Sequence, residues 1–200
     1  MGYSLILDTS SKNLVVGIAN DNVLIKTQYY AWQRQSEMTV QEIHKMMQEL
    51  ELSFDNIEVV ILTIGPGSYT GVRIALTIGK IVALAKKIPI IQMSSLNAIA
   101  GASGRKMSII DARSQRCYVG FYENGIKVKY DTIMKNVDII EFANANNYEL
   151  GGEVAILGLE EKEIDLVTNM FEVSKKLEKT LNVHEVKPIY VKGISALNDK

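Results

Sequence analysis

Gly65-Pro66-Gly67-Ser68-Tyr69-Thr70-Gly71-Val72-Arg73-Ile74 stands between a continuously apolar run, Val59-Val60-Ile61-Leu62-Thr63-Ile64, and a second apolar stretch that runs to about Ala85. The β-branched run suits a strand covered on both faces, as in an α/β sheet. Gly65 and Gly67 open backbone angles closed to other residues and Pro66 fixes its own φ, so a tight turn follows the strand. Ser68 or Thr70 is placed to cap the helix beyond, whose free amides attract anions. The spacing matches no phosphate code. A Walker loop needs Lys where Val72 follows Gly71, and the dinucleotide pattern needs two residues where three separate Gly67 from Gly71. A tight turn with close helix packing is therefore the favoured reading of these glycines over phosphate cradling.

The helix that follows carries only Arg73, Thr77 and Lys80 as clearly polar residues up to Ala85, on one narrow stripe. Gly71, Ala75, Gly79 and Ala83 recur every fourth residue and predict a bulk-free stripe open to the backbone of another helix. Ile74, Ile78, Ile81 and Val82 are expected to face the sheet. A helix apolar around most of its circumference is buried on more than one side, either deep in one domain or between its own sheet and a partner. Arg73 and Lys80, in a stretch shorter than the ~20 residues a bilayer requires, exclude a membrane span.

The 200 residues are 47% hydrophobic, enough for a proper core in one domain or two small ones. Twenty-two Lys plus Arg balance 23 Asp plus Glu, evenly along the chain, so no basic half advertises nucleic-acid binding. Cys117 is the only cysteine, which excludes an intrachain disulfide, and its strand-like surroundings suit a small buried hydrophobe rather than a nucleophile. The segment Met1-Gly2-Tyr3-Ser4-Leu5 has no basic stretch leading into a long apolar one, so secretion is not expected.

Laying residue n against residue n+103 pairs Ile6 with Ile109, Asp8 with Asp111, Ser11 with Ser114, Val16 with Val119, Gly17 with Gly120 and Lys26 with Lys129, without a gap. Each copy reads as a strand ending in aspartate, a second strand, a turn and a third strand. This order, followed by βαβ-like elements, resembles the duplicated α/β fold shared by actin, sugar kinases and Hsp70 chaperones. Gly101-Ala102-Ser103-Gly104 divides the chain into a first half, 1–103, and a reduced second half, 104–200, whose last segment is placed to pack back on the first. In the first half Ser36 to Leu50 predicts a helix with Val40, Ile43, Met47 and Leu50 inward. In the second, helices are expected over Val137–Asn144 and Ser174–Leu181, a strand over Val154–Leu157, and an extended segment at Pro188-Ile189-Tyr190-Val191.

The chemistry-bearing residues are sparse. Asp8 and Asp111 occupy the places where enzymes of the duplicated fold hold a metal-bound nucleotide, but Asp8 continues Thr9-Ser10-Ser11 and Asp111 continues Ala112-Arg113, without phosphate-admitting glycines. A structural or vestigial nucleotide site at Asp8, Thr9, Ser10 and Asp111 is the favoured reading. A small kinase or ATPase using both aspartates and the glycine turn is the rival one. His44 and His184 stand far apart without Cys or paired carboxylates at metal-ligand spacing, so neither metal nor cofactor is expected. There is no nucleophile elbow and no His-Glu-x-x-His pattern, and Ser68 has no evident base; a protease is the weakest alternative.

Ile6-Leu7-Asp8-Thr9-Ser10, the glycine motif through Ile74, Ile88-Pro89-Ile90 leading to Ser94-Ser95-Leu96, Asp111-Ala112-Arg113 before Tyr118, and Pro188-Ile189-Tyr190-Val191-Lys192 resemble the TsaB (YeaZ) family in order and spacing. The resemblance implies a bacterial cytoplasmic protein needed for threonylcarbamoyladenosine in tRNA. It further implies a catalytically inert relative of the transferase TsaD that pairs with it through first-half helices, with no catalytic residue of its own. TsaE joins through the TsaD complex, tRNA is reached only indirectly, and a homodimer is expected when the chain is alone. The implied contact surface comprises Met38, His44 and Met47 on the first helix and Gly71, Arg73, Ala75, Thr77, Gly79, Lys80 and Ala83 on the second. TsaD's histidine pair is replaced by Ser94-Ser95-Leu96-Asn97-Ala98, and the His-Ser-Glu usual before the first helix reads Gln35-Ser36-Glu37, where Ser36 and Glu37 are placed to cap it.

Overall fold

The computed structural model describes residues 2–189 and 191. Five strands form a first sheet: β1 (Tyr3–Asp8), β2 (Asn13–Ala19), β3 (Val23–Tyr30), β4 (Ile57–Thr63) and β5 (Ile90–Met93), in the order β3-β2-β1-β4-β5. β1, β4 and β5 run parallel while β2 and β3 are antiparallel additions. One face is covered by α1 (Gln35–Glu49) and α2 (Tyr69–Lys86), which enclose Leu5, Leu7, Val60, Leu62, Ile43 and Ala75. The other is covered by α3 (Ser95–Ala100) and α5 (Leu166–Ser174), over Ile6, Val15, Ile61 and Met93. Burial on both faces accounts for the unbroken apolar reading of β4.

The second sheet has the order β8-β7-β6-β9, built from β6 (Arg105–Arg113), β7 (Arg116–Glu123), β8 (Ile126–Lys135) and the short β9 (Glu149–Gly152), with α4 (Asn136–Ala145) on one face. Its first three strands lie where the offset of 103 puts them, and its order repeats the β3-β2-β1-β4 arrangement of the first sheet. This is the duplicated actin-like α/β fold. Among the described residues the second copy has no counterpart of α2 and β5. After β9 comes a single 3-10 turn, Val154–Leu157, and the chain then returns to the first sheet as α5.

Four local expectations are corrected. Val154–Leu157 is that turn rather than a strand, because Glu149–Gly152 already pairs with β6 and Gly152, at φ +97°, ends the pairing. The late helix covers Leu166–Ser174 instead of Ser174–Leu181: Asp165 accepts the Thr168 amide as its cap, and Val167, Met170, Phe171 and Val173 are buried beneath it. α1 turns Gln35, Thr39, Ile43, Met46 and Met47 inward, leaving Val40 57% exposed. Its cap position is Arg34, with no side-chain cap from Ser36. The Ile189 amide donates to the Ile64 carbonyl at 2.7 Å, while Tyr190 and Lys192 lie outside the described residues.

Candidate functional site: an interlobe cleft and an apolar helix face

The glycine turn is packed against the loop that follows β1. A Cβ on Gly67 would lie 2.3 Å from the Ser10 carbonyl oxygen, and one on Gly71 2.0 Å from that of Thr9. The gap is used by the chain itself: the Ser68 amide donates to the Ser10 carbonyl at 2.7 Å, and Thr9 Oγ1 donates to the Gly71 carbonyl at 2.6 Å and accepts the Ala75 amide at 3.1 Å. Ser68 Oγ accepts the Gly71 amide at 3.3 Å, so it acts as the helix cap. Amides that a phosphate loop presents to a ligand are here partly engaged by chain and cap.

Asp8 is buried, and its Oδ1 accepts hydrogen bonds from the Ser10 amide, at 2.8 Å, and from the Thr63 hydroxyl. Asp8, Ser10 and Asp111 line one cleft of about 1050 Å³ between the two sheets, whereas Thr9 turns away from it into the α2 packing. Asp111 is exposed; its amide donates to Glu153 Oε2 at 2.7 Å, and its Oδ1 accepts the Arg113 amide at 2.7 Å. Burial above all, helped by the Asp111 charge, raises the Glu153 carboxyl above its ordinary value, against the Asp111 amide, which lowers it. The two loops differ: Asp8 opens a four-residue connection, whereas Asp111 runs into a tight hairpin with Arg113, Ser114 and Gln115 all at positive φ. Among the described residues no three His, Cys, Asp or Glu side chains gather as a metal-holding group.

At the position where the resemblance implies TsaD's histidines, Ser94 caps α3 through the Leu96 amide and donates to Asp131 Oδ2 at 3.0 Å. Asp131 on β8 also takes the Tyr122 hydroxyl at 3.3 Å and the Lys127 ammonium at 2.9 Å, so this serine ties one half to the other. Asp131 and Glu153 were not among the sequence candidates. For Asp131 a signal existed, since aspartate is depleted in strands and this one interrupts Ile126-Lys127-Val128-Lys129-Tyr130; Glu153 meets Asp111 only through the pairing of β9 with β6. Cys117 is fully buried, and burial, with the Asp111 and Glu153 charges, pushes its thiol up to about 11. Gln35, where the resemblance implies a histidine, donates from Nε2 to the Ser11 carbonyl at 2.8 Å and so steadies the cleft loop.

The helix surface departs from the expectation in its small-residue stripe and at Ile81, while Ile78 and Val82 face the core and Arg73 and Thr77 are exposed. Gly71, Ala75, Gly79 and Ala83 are buried against their own fold: a Cβ on Gly79 would meet Leu62 Cδ2 at 2.5 Å and Val60 Cγ1 at 3.1 Å. The small residues let α2 lie close on the sheet, which removes them from any contact surface. Met47, 4% exposed, is core as well. Ile81 is 61% exposed instead of sheet-facing, and Leu84 is 55% exposed. The outer side of α2 thus presents Arg73, Thr77, Ile81 and Leu84, with Lys80 and Ile74 half-buried beside them. The Arg73 guanidinium sits 4.0 Å over the Tyr69 ring. On α1, His44 is exposed and Met38 half-buried. No helix among the described residues is long and apolar enough to cross a membrane.

Residues 30–196 match the family model for TsaD, tRNA N6-adenosine threonylcarbamoyltransferase. The chain is similar to the tRNA threonylcarbamoyladenosine biosynthesis protein TsaB of Bacillus subtilis, at 34% identity over 61% of this chain and 56% of that protein. It therefore spans little more than half the length of that curated relative. In three dimensions it is similar to a Pseudomonas aeruginosa protein described as resembling peptidase YeaZ, with TM-score 0.80, 18% identity, 96% of this chain and 100% of the other. A YeaZ structure from the same organism gives TM-score 0.73 at the same identity and coverage. At that identity the likeness concerns the fold.

Proposed function

The chain belongs to the threonylcarbamoyltransferase TsaD family, in its TsaB (YeaZ) branch, and from that premise we propose that it serves threonylcarbamoyladenosine formation in tRNA as a non-catalytic partner of TsaD. The observation that carries this reading is the contrast along α2. Its glycine end is filled by the Thr9–Ser10 loop, while its outer side leaves Ile81 and Leu84 bare. Apolar surface of this kind gains from being covered. TsaD docks on the outer side of α2 with the exposed edge of α1, through Arg73, Thr77, Lys80, Met38 and His44 around the apolar centre. TsaE joins through TsaD, which holds the tRNA, and the whole assembly is cytoplasmic. Without TsaD the same face pairs two copies of the chain. Residues 1–103 form the partner-binding half and 104–200 the reduced half.

The decisive experiment is reconstitution of tRNA modification from purified components with and without this chain. Modification that requires the chain, together with no turnover by the chain alone, supports the reading; full activity in its absence removes it. One observation favours a second reading: Asp8 and Asp111 line a single cleft, as in an actin-fold ATPase or small-molecule kinase. That reading requires magnesium-nucleotide binding by the isolated chain and turnover lost in Asp8→Asn.

A further inference from the structure

Seven Lys or Arg side chains lie on the strands of the second sheet, and four of them have partners. Arg105 meets Glu123 at 2.9 Å and lies over the Tyr148 ring; Lys106 meets Glu149 at 2.5 Å; Lys127 meets Asp131 at 2.9 Å; Lys129 lies over the rings of Phe121 and Phe142. The other three, Arg113, Arg116 and Lys135, are exposed and make no ion pair with a described carboxylate. These three are also neighbours. Arg113 is directly opposite Arg116, and Arg116 directly opposite Lys135.

Arg116 and Lys135, opposite each other in regular pairing, share a face, while Arg113 stands beside Arg116 at the hairpin end, past a register shift and at φ +66°; the three cations thus gather as a row at one end of three strands, about 10 Å across at ordinary strand spacing. Like charges in such positions repel and destabilise the sheet. Asp111, two residues from Arg113, does not relieve them through an ion pair; its Oδ1 accepts the Arg113 amide. The Asn136 amide, bonded to the Gln115 carbonyl at 3.0 Å, fixes the hairpin tip to the start of α4, so the row is held in place. Arg113 also lines the cleft with Lys12 and Lys162, but Asp8, Asp111, Glu153, Glu161 and Glu163 line it too, so the positive surface stops at the cleft edge.

We propose that the row Arg113, Arg116 and Lys135 seats the phosphodiester backbone of RNA. A line of cations one residue wide suits a strand of phosphates, whereas lipid headgroups present a plane. The identification of the polyanion as tRNA rests on the functional reading above. With a net charge of −1 the chain has no general affinity for nucleic acid, so the row adds a local contact to the hold exerted by TsaD.

The test is fluorescence anisotropy of a labelled, unmodified tRNA transcript across a salt series, with the isolated chain and with its TsaD complex. The triple variant Arg113→Gln, Arg116→Gln, Lys135→Gln is expected to bind about tenfold more weakly, with a slope of log affinity against log salt shallower by about two to three. The single variant Lys135→Gln takes about one unit of that slope. Lys175→Gln, Lys179→Gln, Lys187→Gln removes the same charge elsewhere and is expected to change neither quantity. Equal losses in both triples, or an unchanged slope in the first, overturn the proposal. So does dependence on the row for phosphatidylserine-containing vesicles without any for RNA. A chain that fails to join TsaD sinks the functional reading, while this proposal is decided by the isolated chain at low salt, where no RNA binding at all overturns it.

Discussion

Gly79 and Leu62 are in contact across the α2–sheet interface so closely that a single added Cβ would stand 2.5 Å from Leu62 Cδ2. The glycine is thus part of the core of the first half. Gly79→Leu is expected to destabilise the monomer by about 2–3 kcal/mol, the cost of forcing bulk into a packed site. The melting temperature should then fall by roughly 5–10 °C, since each kcal/mol moves a domain of this size by about 2–4 °C. An unchanged melting temperature would place α2 farther from the sheet than the structure does.

Ile81 and Leu84 supply the complementary experiment. Both are more than half exposed, so Ile81→Glu with Leu84→Glu is expected to change monomer stability by only about 0.5 kcal/mol per site. Co-purification with TsaD should be lost, and dimers of the isolated chain should dissociate. Retained pairing of the folded double variant, measured by calorimetry, would move the interface elsewhere.

Glu153 carries a pH dependence whose sign follows from its raised carboxyl. The native state holds this proton more tightly than the unfolded chain, so the contribution is present below the ordinary value of 4.5 and is lost as pH rises through the raised one. Glu153→Gln keeps an acceptor for the Asp111 amide and removes the charge. The variant should therefore match the parent in acid and become more stable than it as pH rises above the native value. Thermal melts of both proteins from acid to neutral pH check this; a constant difference would refute it.

Cys117 should be inert in the folded chain. Its thiol is pushed up to about 11 and is closed off from solvent, so little thiolate forms at neutral pH. A disulfide reagent that labels thiols should react slowly with the native protein and at once after denaturation. Fast native labelling would show that β7 opens locally.

The strand pattern was legible because it is local. The run Val59 to Ile64 is unbroken in its apolar, β-branched character, and the offset linking Asp8 to Asp111 reflects strand and turn residues within a few positions of one another. The errors came where distant segments compete. Val154–Leu157 has the composition of a strand, yet the neighbouring Glu149–Gly152 had already taken the place beside β6. The candidate site divided the same way. Asp8 and Asp111 were found by position, while Glu153, just after β9, and Asp131, on β8, bind Asp111 and Ser94 through contacts between segments far apart in the sequence.

The amino-acid order by itself determined β1 to β8, the duplication, the glycine turn and the family resemblance, since each is a matter of spacing along the chain. Only the tertiary structure decided which side of α2 is inside. On a helix apolar on nearly every side, the narrow stripe of Arg73, Thr77 and Lys80 marks the exterior without telling which of the flanking apolar residues lie out with it. Its orientation is therefore set by how near the backbone can approach the sheet, and that selects Gly71, Ala75, Gly79 and Ala83 for the interior and leaves Ile81 and Leu84 without.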